Sequence, residues 1–328
     1  MQRSYFNVKF KRVVYGKKFQ SVVFSKCSSA KWSGIWLRGE ELNTCKPQDF
    51  ETSQFKILVT RLSTSRDTSA SFTHKILYQL AVKQCGAFAD MAFLPPPRDS
   101  EIFDRDGIPW LIGTTTKRDA LQFDLLAISN SIVQELINLP VLLRKSAVPL
   151  SKRKRMLGDD IPLVILGGAN ALNTSVLISK DPVVDGIFAG EDPECIIRLF
   201  NLCKEMKMHS KEQCLKRMEE EIPGFFQPDS LVRTKKMTAV DLNPLGLLET
   251  GPVLYEEEQP GRGNLQISDW CPSFCSFCSE GWNRKPYREF TAKTLLDAAL
   301  RMKASMGLDS VDLYSFNFNM HGEFYPLL

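Results

Sequence analysis

Three cysteines, Cys271, Cys275 and Cys278, stand at a C-x3-C-x2-C spacing in Ser268-Asp-Trp-Cys-Pro-Ser-Phe-Cys-Ser-Phe-Cys278. Thiolates are soft ligands, and compact cysteine clusters select zinc, copper(I) or iron–sulfur centres. A structural zinc site wants four ligands, usually as two C-x2-4-C pairs, and the sequence holds no second pair. Three close thiolates can instead hold three irons of a [4Fe–4S] cluster and leave the fourth iron open to a ligand. The other cysteines are irregularly spaced, which gives no disulfide framework and fits a reducing, cytoplasmic setting.

The elements that would position this loop are legible on both sides of it. Gly263–Ser268 alternates like a strand, and the cysteines leave its carboxyl end. A helix is expected over Thr291–Met306, with Leu295, Leu296, Ala299 and Met302 on one face and Gly307 as its stop; Ser310–Phe316 reads as the next strand. Upstream, short apolar runs at Lys56–Thr60, Ala89–Leu94, Phe123–Ser129, Pro162–Leu166 and Val184–Ala189 alternate with helical stretches near 71–83, 132–144 and 193–206. In the first of these, Phe72, Ile76, Leu77, Leu80 and Ala81 share one face. Such alternation predicts an α/β fold, a doubly wound, mainly parallel sheet over the upstream runs. Ligands bind such sheets beyond the carboxyl ends of the strands. Thr60–Ser65, Ser129–Ser131, Gly167–Asn170 and Gly190–Glu191 should therefore share one mouth. Glycine allows close backbone approach there, and serine supplies neutral hydrogen bonds. No G-x-G-x-x-G occurs, so a nicotinamide or flavin site has no support.

The expected organisation is an extension over 1–50 with a hairpin at Tyr5–Phe24, a sheet domain over 51–206, a connector over 207–262, and a second β/α portion over 263–328. At 328 residues, 43% hydrophobic and 24% charged, the chain has room and composition for two globular domains. No apolar run approaches the length of about 18 residues that a membrane helix needs. A net charge of +4 gives no footing for nucleic acid, and Lys152–Arg155, its densest basic run, reads as a solvated loop.

With Phe277 before the third cysteine, the motif resembles that of the radical S-adenosylmethionine (radical SAM) enzymes, C-x3-C-x-aromatic-C. "FDLLAIS", "LVILGGANA" and "VDGIFAGEDPE" resemble the third, fourth and fifth strand motifs of the cobalamin-binding domains that precede some radical SAM domains. The resemblance implies that Cys271, Cys275 and Cys278 hold a [4Fe–4S] cluster that cleaves S-adenosylmethionine reductively to a 5′-deoxyadenosyl radical, with an electron donor such as flavodoxin or ferredoxin. It places backbone near Phe277 against the adenine, and Gly322 and Glu323 in a G-G-E-like motif that contacts the amino group. It implies that 263–328 is the start of a partial (β/α) barrel, with cobalamin beside Ser129, Ser131, Gly167, Gly168, Gly190 and Glu191 of the preceding sheet domain, and methyl transfer to an unidentified substrate.

The sequence departs from the pattern in three places. The loop after the first strand, Arg61-Leu-Ser-Thr-Ser-Arg-Asp67, has no histidine where D-x-H-x-x-G would put one. His321 stands where the first glycine of the G-G-E-like motif would be, and reads as a surface loop residue. Six βα units would need on the order of 200 residues, so the remaining strands are expected on a second chain that completes the barrel, or are lost, or belong to a stretch outside this sequence, and the carboxyl-terminal portion should be unstable alone. A non-catalytic split or degenerate scaffold subunit is the alternative. A methylthiotransferase is a further one, although Cys27, Cys45 and Cys85 do not fall at strand exits as its second cluster would require.

Overall fold

The computed structural model describes residues 41–43, 45, 49–68, 71–230, 234–254, 262–278, 280–283 and 285–327. The hairpin expected at Tyr5–Phe24, and Cys27, lie outside the described residues. A short strand β1 (Glu41–Asn43) precedes β2 (Lys56–Arg61), α1 (Thr73–Lys83), β3 (Phe88–Ala92), α2 (Pro97–Asp106) and β4 (Leu125–Ser129). There follow α3 (Asn138–Lys145), α4 (Lys152–Leu157), β5 (Leu163–Gly167), β6 (Gly186–Phe188), α5 (Pro193–Glu205), α6 (Lys211–Glu221) and β7 (Phe225–Phe226). These strands form one sheet in the order β3-β2-β4-β5-β6-β7, parallel from β3 to β6. Every residue of β3 and β4 is buried, as expected for strands covered on both faces.

The expected doubly wound sheet is therefore present, with one strand more. β7 runs antiparallel to β6 and, with α6, lies in the stretch read as connector. Two residues are too few to show a period. Its place is set by Gly186 instead, where an added Cβ would come within 2.2 Å of the Phe225 ring. The helix read from Ile132 opens as a 3-10 turn, Val133–Ile137, and becomes α-helical only at Asn138. Pro140 then sits in the first turn, where its missing N–H costs nothing.

The basic run Lys152–Arg155 is not a solvated loop. It opens α4, capped by the Ser151 hydroxyl, and Arg155 is wholly buried with Asp185 at 2.8 Å. Its guanidinium also donates to the carbonyls of Pro149, Leu150 and Pro182, and Asp185 accepts from the Val164 N–H. Four basic residues in a row suggest solvent, but their helical spacing turns two of them, Lys152 and Arg155, inward.

The second part comprises β8 (Pro252–Leu254), paired with β1, then β9 (Arg262–Gln266), β10 (Ser268–Asp269), α7 (Glu280–Asn283), β11 (Arg288–Glu289), α8 (Ala292–Met306) and β12 (Ser310–Tyr314). The strand read over 263–268 breaks at Ile267 into β9, parallel to β12, and β10, antiparallel to β11. This β/α region is open rather than closed into a barrel. α8 begins at Thr291, whose hydroxyl accepts from Thr294 N–H, and ends at Gly307 in the left-handed conformation, as expected. Among the described residues no helix is long and apolar enough to cross a membrane.

The two parts share α1. Tyr78 and Ala81 join the core of the sheet, while Ile76 and Leu80 join a second core with Leu247, Leu265, Ile267, Leu295 and Met302. The apolar residues of this helix thus form two faces rather than one.

Removing one member of a buried ion pair leaves the other uncompensated. Arg155→Leu should lower the unfolding free energy by about 3–5 kcal/mol in urea denaturation, and Arg155→Met with Asp185→Leu should recover most of the loss. A drop below about 1 kcal/mol would mean that the pair is solvated. His74, on α1 against Phe93, is also buried, with Nδ1 unpartnered among the described residues. Burial, with the charges of Lys75 and Arg61, holds its imidazole well below the usual histidine range. The unfolded chain therefore takes up this proton first, and stability falls as pH drops through about 6.5. His74→Leu should lose less stability than the parent on acidification; equal losses in both would rule the imidazole out.

Candidate functional site

In the sheet register, Arg61, Ser129 and Gly167 lie side by side at the carboxyl ends of β2, β4 and β5. The Arg61 guanidinium donates to Ser131 Oγ at 2.6 Å, Ser129 Oγ at 3.3 Å and Glu135 Oε1 at 2.9 Å. Glu135 also accepts from the Ser63 hydroxyl, the Ser131 N–H and the Asn130 amide. Arg61 and Glu135 are both buried, so the loops after β2 and β4 are tied by an ion pair under low dielectric. The exit of β5 docks on this network. Gly168 has φ +108°, and a Cβ there would meet Asn130 O at 2.3 Å. The Asn170 amide bonds Ser131 O from the same exit. Asn130 Oδ1 is buried without a partner among the described residues. Exposed Ile132, Val133, Ile137, Val176 and Ile178 follow β4 and β5 and give this edge an apolar rim.

The exit of β6 is built differently. Gly190 bridges to Met237, and the Glu191 carboxylate pairs with Arg288 at 2.7 Å and Lys236 at 3.5 Å. Arg288 also pairs with Asp269 at 2.5 Å. Asp269 lies in β10, just before the cysteine loop. The sheet's mouth and the root of the thiol loop are thereby joined through one guanidinium.

Within the loop, Cys275 is exposed and Cys271 and Cys278 are partly so. The Ser273 hydroxyl and N–H, with the Asn317 side chain, hydrogen-bond Cys271 and hold its thiol below the ordinary range, against a small opposing effect of burial. Cys278 N–H donates to Cys275 O at 3.0 Å. Trp270 Nε1 donates to Gly281 O at 2.7 Å, and Trp282 Nε1 to Cys275 O at 3.2 Å. Phe277 is 90% exposed. Among the described residues no three His, Cys, Asp or Glu side chains surround a single ion position. A [4Fe–4S] cluster asks for something else, because each thiolate binds a different iron. Three accessible thiols on one loop, one of them stabilised as thiolate, fit that donor set.

Two of the expected S-adenosylmethionine contacts, Gly322 and Glu323, lie on the exit of β12, which shares its carboxyl edge with β9. Gly322 N–H donates to the Glu289 carboxylate, and Glu323 accepts from Ala292 N–H at the start of α8. His321 is buried, not a surface residue. Its Nδ1 accepts from Glu323 N–H, which leaves Nε2–H to donate to Phe290 O at 3.0 Å. Of the cysteines weighed for a second cluster, Cys45 and Cys85 are buried. Burial raises Cys45 and pushes Cys85 to about 11. Arg61 falls within the expected Thr60–Ser65 mouth, but its pairing, and the roles of Glu135 and Asp269, escape sequence reading because only the strand register and the fold bring these partners together.

Residues 73–228 match the family model for radical SAM proteins, N-terminal. Two solved structures of the radical S-adenosylmethionine methyltransferase TsrM from Kitasatospora setae are similar in fold. One holds tryptophan substrate and the SAM analogue aza-SAM; it is 13% identical, has a TM-score of 0.50, and the match covers 81% of this chain and 48% of that one. The other holds cobalamin and a [4Fe–4S] cluster; it is 11% identical, has a TM-score of 0.51, and the match covers 83% and 50%. The chain thus spans about half the length of the structures it matches. No curated protein sequence matches it. The stretch matched by the family model is under half of the chain, and what the two solved structures share with it is the fold: an α/β sheet domain followed by an open β/α region.

Gly168→Ala tests the crevice. It combines a left-handed backbone with a 2.3 Å approach to Asn130 O, so a loss of about 2 kcal/mol or more is expected from strain and displacement. Unchanged stability in denaturant would show that the two strand exits are not in contact.

Proposed function

We propose that this chain is the cofactor-bearing portion of a radical SAM enzyme, with Cys271, Cys275 and Cys278 as ligands of a [4Fe–4S] cluster and the sheet's carboxyl edge as a corrinoid site. The carrying observation is the placement of the thiol loop at the carboxyl end of β10, joined to the exit of β6 through Arg288. Bound cluster and corrinoid would supply, respectively, the electron for reductive cleavage of S-adenosylmethionine to a 5′-deoxyadenosyl radical and a methyl group for transfer. The chain's own part is to bind and orient. Cys271, Cys275 and Cys278 offer the thiolates, and Phe277, Gly322 and Glu323 are proposed to receive S-adenosylmethionine. Glu323 would exchange its bond with the start of α8 for that ligand's amino group. At the corrinoid site, Ser129, Ser131, Gly167, Gly168, Gly190 and Glu191 are the proposed wall. The apolar rim suits a macrocycle, and the unpartnered Asn130 Oδ1 suits one of its amide donors.

Anaerobic reconstitution of the whole chain with iron and sulfide should give a broad absorption at about 400 nm and about four irons per chain, both lost in Cys271→Ala. Iron bound without sulfide, or not at all, sinks the cluster assignment. Titration with hydroxocobalamin should saturate; linear, unsaturable uptake would leave the sheet domain a scaffold.

A further inference from the structure

Arg288 collects more partners than a strand residue two positions long would need. Nη2 donates to Glu191 at 2.7 Å and to Asp269 at 2.5 Å, Nη1 to Ala239 O at 3.0 Å, and Nε to Pro286 O at 3.1 Å. The side chain is buried at 3% exposure, so these bonds take the place of water. They come from separate parts of the chain: the exit of β6, the segment after the Gly190–Met237 bridge, and the strand that enters the cysteine loop. Glu191 and Asp269 are two carboxylates that accept from the same Arg288 nitrogen. Burial, and then the charge of Asp269, push Glu191 above the usual carboxylate range, with Lys236 and Arg288 opposing. Without a cation between them these segments would repel. A planar guanidinium can bind several acceptors in fixed directions, which a lysine cannot.

We propose that Arg288 is a positioning residue that registers the carboxyl edge of the sheet against the root of the cysteine loop, through Glu191 on one side and Asp269 on the other. The latch rests on the functional reading only for its purpose, which is to hold the corrinoid site and the cluster loop at a set separation and angle. Its geometry stands without either cofactor.

The backbone bonds nearest the latch supply reporters. Met237 N–H donates to Ala189 O and Glu191 N–H to Met237 O on the sheet side; Phe290 N–H donates to Ile267 O on the loop side. Hydrogen exchange of the whole chain, free of cofactors, should compare the parent with Glu191→Ala, Arg288→Met and Arg288→Lys. Glu191→Ala lies in the sheet domain and leaves the Arg288–Asp269 pair in place. It should nevertheless speed exchange at 268–270 and 290 by about tenfold, as well as at 191 and 237, while β2, β4 and α8 stay protected. Arg288→Met should give the same pattern more strongly, and Arg288→Lys should restore only part of the protection.

Exchange confined to the substituted side in Glu191→Ala would overturn the latch, because a purely local role predicts that. So would a uniform rise through β2, β4 and α8 in both Glu191→Ala and Arg288→Met, which marks general unfolding. Because no cofactor enters the measurement, failed reconstitution would count against the proposed function and leave the latch result untouched.

Discussion

A parallel sheet has two apolar faces and can leave neither to water. Here that constraint does more than hold one domain together, because α1 covers the sheet with one side and carries the second core with the other. The polar side chain between the two faces is also bound. Gln79 donates to Leu247 O at 3.0 Å and accepts from the N–H groups of Glu249 at 2.8 Å and Thr250 at 3.1 Å. An amide with several partners in a buried setting fixes direction as well as distance. Two parallel strands, β9 and β12, could not bury a useful area alone. They rest on α8 and on the ledge that α1 and Leu247–Leu248 provide. The placement of the thiol loop follows from the packing of a helix some two hundred residues earlier in the sequence.

That dependence explains what could be read in advance. The central strands announce themselves as apolar runs ending in serine or glycine because burial on both faces requires such runs. The cysteines announce themselves by spacing, since soft ligands on one loop need no tertiary information. Arg155 and Lys152 were hidden because charge in a sequence says solvent unless a partner is known, and Asp185 and Asp229 are supplied by the fold. His321 was hidden for the same reason: its burial depends on Phe290 and Glu323, which no period links to it. β7 was hidden because an edge strand of two residues takes its identity from Gly186 and its neighbours.

The two halves of the site are preorganised by different means. At the sheet's edge, rigidity comes from charge: a buried Arg61–Glu135 pair joined by the hydroxyls of Ser63, Ser129 and Ser131 and by the Asn130 amide, with Arg61 Nε left unpartnered among the described residues. Such a network is costly to break, because each member is left unsatisfied when another is removed. It also occupies the ends of β2 and β4, so that a ligand at the proposed site would meet the strand exits and the apolar rim rather than a gap between the strands.

The thiol loop has no comparable core, and its shape is held by indoles. Trp270 and Phe274 adopt φ of 72° and 47°, a left-handed backbone that costs a residue with a side chain about 1–2 kcal/mol each. Two indole N–H bonds, from Trp270 to Gly281 O and from Trp282 to Cys275 O, oppose that cost, as do edge-on contacts of Phe274 with Trp270 at 5.2 Å and Trp282 at 5.1 Å. Bonds of this kind restrain the backbone at Cys275 and leave its thiol unburied. The loop thereby has a fixed root and accessible sulfurs, the combination a polynuclear centre needs if it is to be assembled after the chain has folded.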